Sequence, residues 1–94
     1  MTAEQIAADL NPLRRLAVQV LQPHYLQNRG MDFYDFESAM RTRASAEKIK
    51  GRLRIADDPL FECYEHSREI GTFIALTPLG NAVHNLLQKD TSHG

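Results

Sequence analysis

The stretch RTRASAEKIKGRLRIADD, residues 41–58, decides how the rest of the chain is interpreted, because it concentrates positive charge. Residues 41–54 hold six of the eleven basic side chains against a single acid, a net charge of +5. The rest of the chain has five basic and eleven acidic residues, a net charge of −6. Such a cluster is typical of a surface that meets polyphosphate, although a charge cluster alone is more often a solvated helix face.

Apolar spacing predicts that this stretch contains one helix, from Ser45 to Ala56. Apolar residues recur there at i, i+3, i+7 and i+10, which places them on one helix face: Ala46, Ile49, Leu53 and Ala56. Ser45 is a good N-cap, and the acids Asp57 and Asp58 are expected to end the helix. Gly51 is either a tolerated defect or a point of close backbone approach, as in a helix that enters a groove.

Capping residues mark three helix starts before this stretch. Thr2 is expected to cap a short helix that reaches Leu10. Asn11 and Pro12 together indicate a second start, since proline is favoured at the first helical position. That second helix is expected to kink or end at Pro23, and Asp32 is expected to cap a third helix.

After Pro59 the apolar period changes from helical to extended. Residues 60–66 and 72–76 are β-compatible runs, and residues 67–71 between them are long enough for an exposed hairpin tip. Thr77 and Pro78 then indicate a cap and a first helical position. A closing helix is predicted from the apolar positions Leu79, Ala82, Val83, Leu86 and Leu87.

The length and composition limit the class of protein to which this chain can belong. A chain of 94 residues with 43% hydrophobic and 24% charged residues is ordinary globular material of one domain, expected over residues 1–88, with a flexible C-terminal tail at 89–94. No apolar run approaches the ~20 residues of a membrane span. The N-terminus has no basic and apolar secretory pattern, and the single cysteine allows no internal disulfide. We therefore expect a cytoplasmic protein without membrane contact.

In this order of elements, from Asp32 to Leu87, the chain resembles the winged helix-turn-helix DNA-binding regulators of the MarR and PadR types. The most recognisable local piece is ALTPLG, residues 75–80, which is similar to the "LTPxG" junction before the closing helix. The resemblance implies an α+β, mostly helical fold, with a two-stranded β wing and additional N- and C-terminal helices. It also implies a sequence-specific regulator that binds double-stranded DNA, with residues 45–56 in the major groove and the wing, residues 66–72, on the backbone or minor groove.

Side-chain chemistry divides the roles within the expected DNA-binding set. Four cations at the turn and the helix flanks suit phosphate contacts: Arg41, Arg43, Lys48 and Arg52. Lys50 and Arg54 are placed to reach guanine edges, and Glu47 to accept from cytosine N4. By its position in the resemblance, Arg68 is the wing contact, although Glu69 beside it makes the wing less basic than usual.

Two further interpretations concern partners. The amphipathic terminal helices, residues 2–10 and 79–88, are expected to form a homodimer, with capping of the monomer core as the alternative. The rival function is a winged-helix module that docks an acidic protein partner through residues 41–54.

The pair Cys63 and His66 supplies only two soft ligands, whereas a structural zinc site needs four. Cys63 is expected to be a small core residue, and we expect no metal, cofactor or catalytic residue, since no catalytic motif is present.

Overall fold

The structure is a computed structural model that describes residues 2–92. Its helices are α1 (Ala3–Ala8), α2 (Pro12–Leu26), α3 (Phe33–Glu47) and α4 (Pro78–Ser92), with a short 3₁₀ turn at Ile55–Asp57. Its strands are β1 (Met31–Asp32), β2 (Phe61–Ser67) and β3 (Gly71–Leu76). The predicted α+β class, with more than half of the residues helical, is therefore confirmed.

The helix starts lie where the capping residues predicted them. Thr2 and Gln5 form a reciprocal capping box, and the Asn11 side chain accepts from Arg14 N at 2.9 Å. Asp32 Oδ1 accepts from Tyr34 N at 2.9 Å. Helix α2 differs from the prediction because it continues through Pro23 to Leu26.

The predicted helix over residues 45–56 is wrong. Only residues 45–47 are helical, and they are the last turn of α3 rather than the start of a new helix. Lys48 adopts a left-handed conformation, with φ 54° and ψ 39°, and Ile49 N then bonds back to Ala44 O at 2.9 Å. This is a Schellman ending, in which the apolar residue after the turn folds back on the helix. The apolar spacing did not mark one helix face. Ala46 and Ala56 are exposed, whereas Ile49 and Leu53 pack on the core from an irregular segment.

The sheet contains the predicted hairpin and one strand that was not predicted. Its order is β1-β3-β2 and both pairings are antiparallel. Met31 pairs with Ile74, and Phe61 pairs with Leu76. The two-residue strand β1 gives no period-2 signal in the sequence, so only the β2–β3 hairpin could be predicted.

One core joins the helices to the inner face of the sheet. Helix α1 packs against α4, α2 packs against α3, α4 and β3, and the most deeply buried large side chains are Phe36, Leu16, Leu21, Leu60 and Ile74. The ALTPLG junction, residues 75–80, joins β3 to α4 and packs closely against Leu60. Thr77 N donates to Leu60 O at 3.0 Å and Thr77 Oγ1 accepts from Gly80 N at 3.1 Å, while a Cβ on Gly80 would lie 2.5 Å from Leu60 O.

The C-terminal boundary differs from the predicted one. The backbone of α4 is helical through Ser92, so residues 89–92, predicted as part of a flexible tail, continue the helix. Residues 93 and 94 of that predicted tail lie outside the described residues. Across residues 2–92, every helix is too short or too polar to cross a membrane.

Candidate functional site

Residues 41–54, called here the basic segment, expose all six of their cationic side chains. Arg41 and Arg43 lie on the last turns of α3, and Lys48 occupies its left-handed C-cap. The other three cations, Lys50, Arg52 and Arg54, lie on the irregular stretch before the 3₁₀ turn. Ile49 and Leu53 alternate with these cations and pack against the core, so the segment is held by its apolar residues while its charges face solvent.

Most of this positive charge is not neutralised within the chain. Arg43 Nε lies 3.7 Å from Glu47 Oε2, and Arg54 Nη2 lies 3.7 Å from Asp57 Oδ2, both at exposed positions where an ion pair is worth little. Within the described part of the chain, the remaining four cations form no ion pair: Arg41, Lys48, Lys50 and Arg52. These four side chains are available to an external anion.

Asn11 fastens the basic segment to the start of α2. Its Nδ2 donates to Arg52 O at 3.1 Å while its Oδ1 caps the helix. Gly51 has φ 153°, and a Cβ there would lie 2.9 Å from Asn11 Oδ1 and 3.1 Å from Leu13 Cβ. The close approach that glycine permits is therefore to the chain's own α2, and not to a groove outside the protein.

A second anchor is the ion pair between Arg14 and Asp58. Arg14 Nε lies 2.7 Å from Asp58 Oδ2, and Arg14 Nη2 lies 2.8 Å from Oδ1. The Asp58 side chain is only 6% exposed, and Oδ1 also accepts from Leu60 N at 3.1 Å. The interpretation of Asp58 as the end of a basic helix is wrong, since this carboxylate bonds α2 instead. The pairing also removes one acid from competition for the neighbouring cations.

Two shallow depressions border the basic segment. A cleft of about 310 Å³ lies between the start of α2 and the 3₁₀ turn, and its lining includes the cations Arg52 and Arg54 and the carboxylates of Asp57 and Asp58. A second groove of about 350 Å³ lies between α3 and residues 53–55; its lining includes the apolar Phe33, Met40, Leu53 and Ile55 and the charged Glu37 and Arg41. The first depression carries charges of both signs, and the second suits an apolar side chain.

Arg68 is not part of this surface. It is exposed in the hairpin tip between β2 and β3, where Ser67 Oγ accepts from Ile70 N at 2.9 Å. The basic segment leads into the 3₁₀ turn, which lies at the start of β2, whereas the tip lies at the other end of this seven-residue strand. A strand of that length spans about 20 Å, so the expected wing contact and the expected helix contacts lie far apart.

The remaining sequence interpretations meet mixed results. Cys63 was expected in the core but its side chain is exposed on β2, and partial burial raises the pKa of its thiol, which disfavours the reactive thiolate. His66 stacks on Phe73 with ring centroids 5.1 Å apart. Among residues 2–92, no group of three or more histidine, cysteine, aspartate or glutamate side chains could hold a metal ion.

The apolar stripes of the terminal helices are buried within one chain, at Ile6, Val83 and Leu87, so dimerisation through these helices stays a prediction.

Sequence reasoning found the cations of the site but missed the residues that hold them in place: Asn11, Arg14 and Asp58. Their bonds span 41 and 44 residues of sequence, and such contacts leave no periodic signal. Comparison of the chain with protein-family models, with characterised proteins and with solved structures gave no significant match. The assignment of function therefore depends on the geometry and charge of the basic segment.

Proposed function

We propose that this domain binds double-stranded DNA through the phosphate backbone, as a small regulator of the winged-helix type in which an irregular basic segment takes the place of the recognition helix. The observation that carries the proposal is the set of four exposed, unpaired cations in a segment that begins on α3 and is anchored near its C-terminal end by Asn11 and by the Arg14–Asp58 pair. Lysine and arginine contacts to phosphates release condensed counterions, and this release provides most of the sequence-independent affinity.

Pre-organisation supports this proposal over a merely solvated charge cluster. The Gly51 contact and the Asn11 bond fix the backbone of the segment, so DNA binding does not have to order a flexible loop. In the cleft at the start of α2, Arg52 forms no ion pair within the described residues and can donate to a phosphate, whereas Arg54 is paired with Asp57. The electrostatic part of the proposal therefore needs no helix in the groove.

Because residues 48–54 are not helical, the structure supports the predicted base recognition less than the predicted phosphate contacts. Reading a base edge requires a side chain held in a fixed orientation, as on a helix inside the major groove. Lys50 and Arg54 lie instead on an irregular exposed stretch, and Glu47 already faces Arg43. We accordingly propose that phosphate contacts dominate and that sequence preference is modest.

The proposal is tested by neutralising three unpaired cations at once, with Arg41, Lys48 and Lys50 replaced by glutamine. A matched control replaces Arg15, Arg29 and Arg68, three exposed cations outside the segment, so both variants lose the same charge. From the slope of about −0.9 per phosphate, the segment variant should lose between about two and three orders of magnitude in duplex affinity at ~0.1 M salt. The control should lose much less. Equal losses in both variants, or none in either, would refute the assigned surface.

A second candidate function is docking of an acidic protein partner, and the apolar groove between α3 and residues 53–55 favours it. An amphipathic acidic peptide would place apolar side chains against Met40 and Leu53 and its carboxylates near Arg41. Because such binding buries apolar surface, its affinity should persist at salt concentrations that release a duplex. Phe33→Ala, which removes one groove wall, should weaken the peptide complex and leave duplex binding unchanged.

A further inference from the structure

Strand β2 lies at one edge of the sheet, and no strand in the described part of the chain pairs with its outer side. The carbonyl of Leu60 accepts from Thr77 N at 3.0 Å and therefore points towards the β3 side, while Leu60 N donates to Asp58 Oδ1. Because backbone polar groups alternate along an antiparallel strand, those of Phe61, Cys63 and Glu65 point away from β3; Phe61 N already donates to Asp58 O at 3.2 Å, so the open positions are those of Cys63 and Glu65. A row of unpaired N–H and C=O groups is a template for another strand.

This edge has little of the protection that sheet edges usually carry. Residues 61–67, FECYEHS, include no lysine and no proline, and the side chains from Glu62 to His66 are all exposed. The register irregularity between Glu65 and Ser67 limits the regular part of the edge to residues 61–65. Another strand can therefore pair regularly with this edge only along residues 61–65, which restricts the register of the pairing.

The side chains on the outer face of β2 suit pairing with a copy of themselves. Tyr64 is 38% exposed and lies beside Phe73, with ring centroids 5.9 Å apart, and His66 stacks on the same Phe73 ring. Tyr64 and His66 thus share one face, and alternation places Glu62 there as well. An antiparallel copy centred on Tyr64 brings each Glu62 carboxylate close to the His66 imidazole of the other copy, which lies at the register irregularity where the regular edge ends.

We propose that two copies of this chain associate through the outer edges of β2, in antiparallel register about a twofold axis at Tyr64. Cys63 of each copy then forms a hydrogen-bonded pair with Glu65 of the other, giving about four backbone hydrogen bonds between the chains. The two Tyr64 residues lie opposite each other at the axis, with each ring packed back over Phe73 towards Gly30 of its own chain, and the Glu62–His66 pairs lie on both sides. The result is a continuous sheet of six strands. This dimer forms without DNA and uses neither the basic segment nor the terminal helices.

Cysteine cross-linking tests the register directly. Tyr64→Cys in a Cys63→Ser background should form a disulfide dimer under mild oxidation, since residues paired at the axis lie about 4.5 Å apart at Cα. The unaltered chain, with Cys63, should not cross-link, because in this register the two Cys63 Cα atoms are more than about 7 Å apart. Arg68→Cys in the Cys63→Ser background reports random collision. Cross-linking of Cys63 in place of the Tyr64→Cys variant would overturn the register.

Sedimentation over a range of protein concentration, without DNA, tests the association itself. Cys63→Pro removes an outward N–H but keeps the pairing with β3, so the fold should survive. It should weaken dimerisation about tenfold or more, because the twofold axis removes two hydrogen bonds at once. Glu62→Lys, which replaces the carboxylate opposite each His66 by an ammonium group, should weaken it as well if the proline variant does not fold. A chain that stays monomeric at all concentrations, or a dimer that neither substitution weakens, would overturn the proposal.

Discussion

The end of helix α3 at Lys48 provides a prediction whose sign separates the observed structure from the helix that the sequence pattern predicts. Lys48 has φ 54°, in the left-handed region. A residue with a Cβ loses about 1–2 kcal/mol in that conformation, whereas glycine adopts it readily and is the usual residue at such helix ends. Lys48→Gly should therefore stabilise the protein.

The magnitude follows from two opposing effects. Relief of the left-handed conformation contributes about 1–2 kcal/mol, and the larger backbone entropy of glycine in the unfolded chain offsets about half of it. We expect a net gain of about 0.5–1 kcal/mol in the free energy of unfolding, which corresponds to a melting temperature higher by roughly 2–8 °C. If residue 48 lay inside a continuous helix, the same substitution would cost about 1 kcal/mol.

Urea unfolding followed by circular dichroism measures this difference, with two controls. Lys48→Ala keeps the Cβ and should give no gain. Ala46→Gly, at an exposed position inside α3, should lose about 1 kcal/mol. A loss of stability in Lys48→Gly similar to that of Ala46→Gly would refute the Schellman ending and restore the predicted helix.

Three further predictions concern the anchors and the core. Arg14→Met leaves the buried Asp58 carboxylate without its ion pair and should lower the free energy of unfolding in urea by about 3 kcal/mol; an unchanged value would contradict the pair. Gly80→Ala brings a Cβ to 2.5 Å from Leu60 O and should cost about 1–3 kcal/mol in the same assay, whereas full stability would mean that helix and strand are less closely packed. Burial lowers the pKa of His84 below 6.5, so the unfolded state binds more protons just below that pH. Stability should be complete above pH 6.5 and fall as the pH drops below it, and His84→Gln should remove this contribution in unfolding titrations at neutral and mildly acidic pH.

Local signals in the sequence predicted much of the fold because the responsible contacts are local. The caps at Thr2, Asn11 and Asp32 act on backbone groups two or three residues away, and their side chains alone identify the helix starts. The hairpin of β2 and β3 is signalled by two β-compatible runs around a short tip. The left-handed turn at Lys48 carries no such signal, because lysine is a good helix former and rarely takes this conformation.

The same distinction applies to the candidate site: its charges could be predicted from the sequence, and its three-dimensional arrangement could not. The cations of the basic segment could be predicted because charge density is a property of composition, and their exposure follows from the high cost of burying an unpaired charge. Their arrangement could not be predicted, since it depends on the Asn11–Arg52 and Arg14–Asp58 contacts between distant parts of the sequence. The apolar period of Ile49 and Leu53 fits both a helix face and an irregular segment laid on the core.

The affinity of the unaltered chain for a random-sequence DNA duplex, measured at about 50 and about 200 mM salt, tests the role of the basic segment most directly. Four unpaired cations that each contact a phosphate give a logarithmic salt slope of about −4, so the affinity should fall by roughly two orders of magnitude between the two conditions. Absence of duplex binding at the lower salt, or an affinity equal at both, would contradict the account.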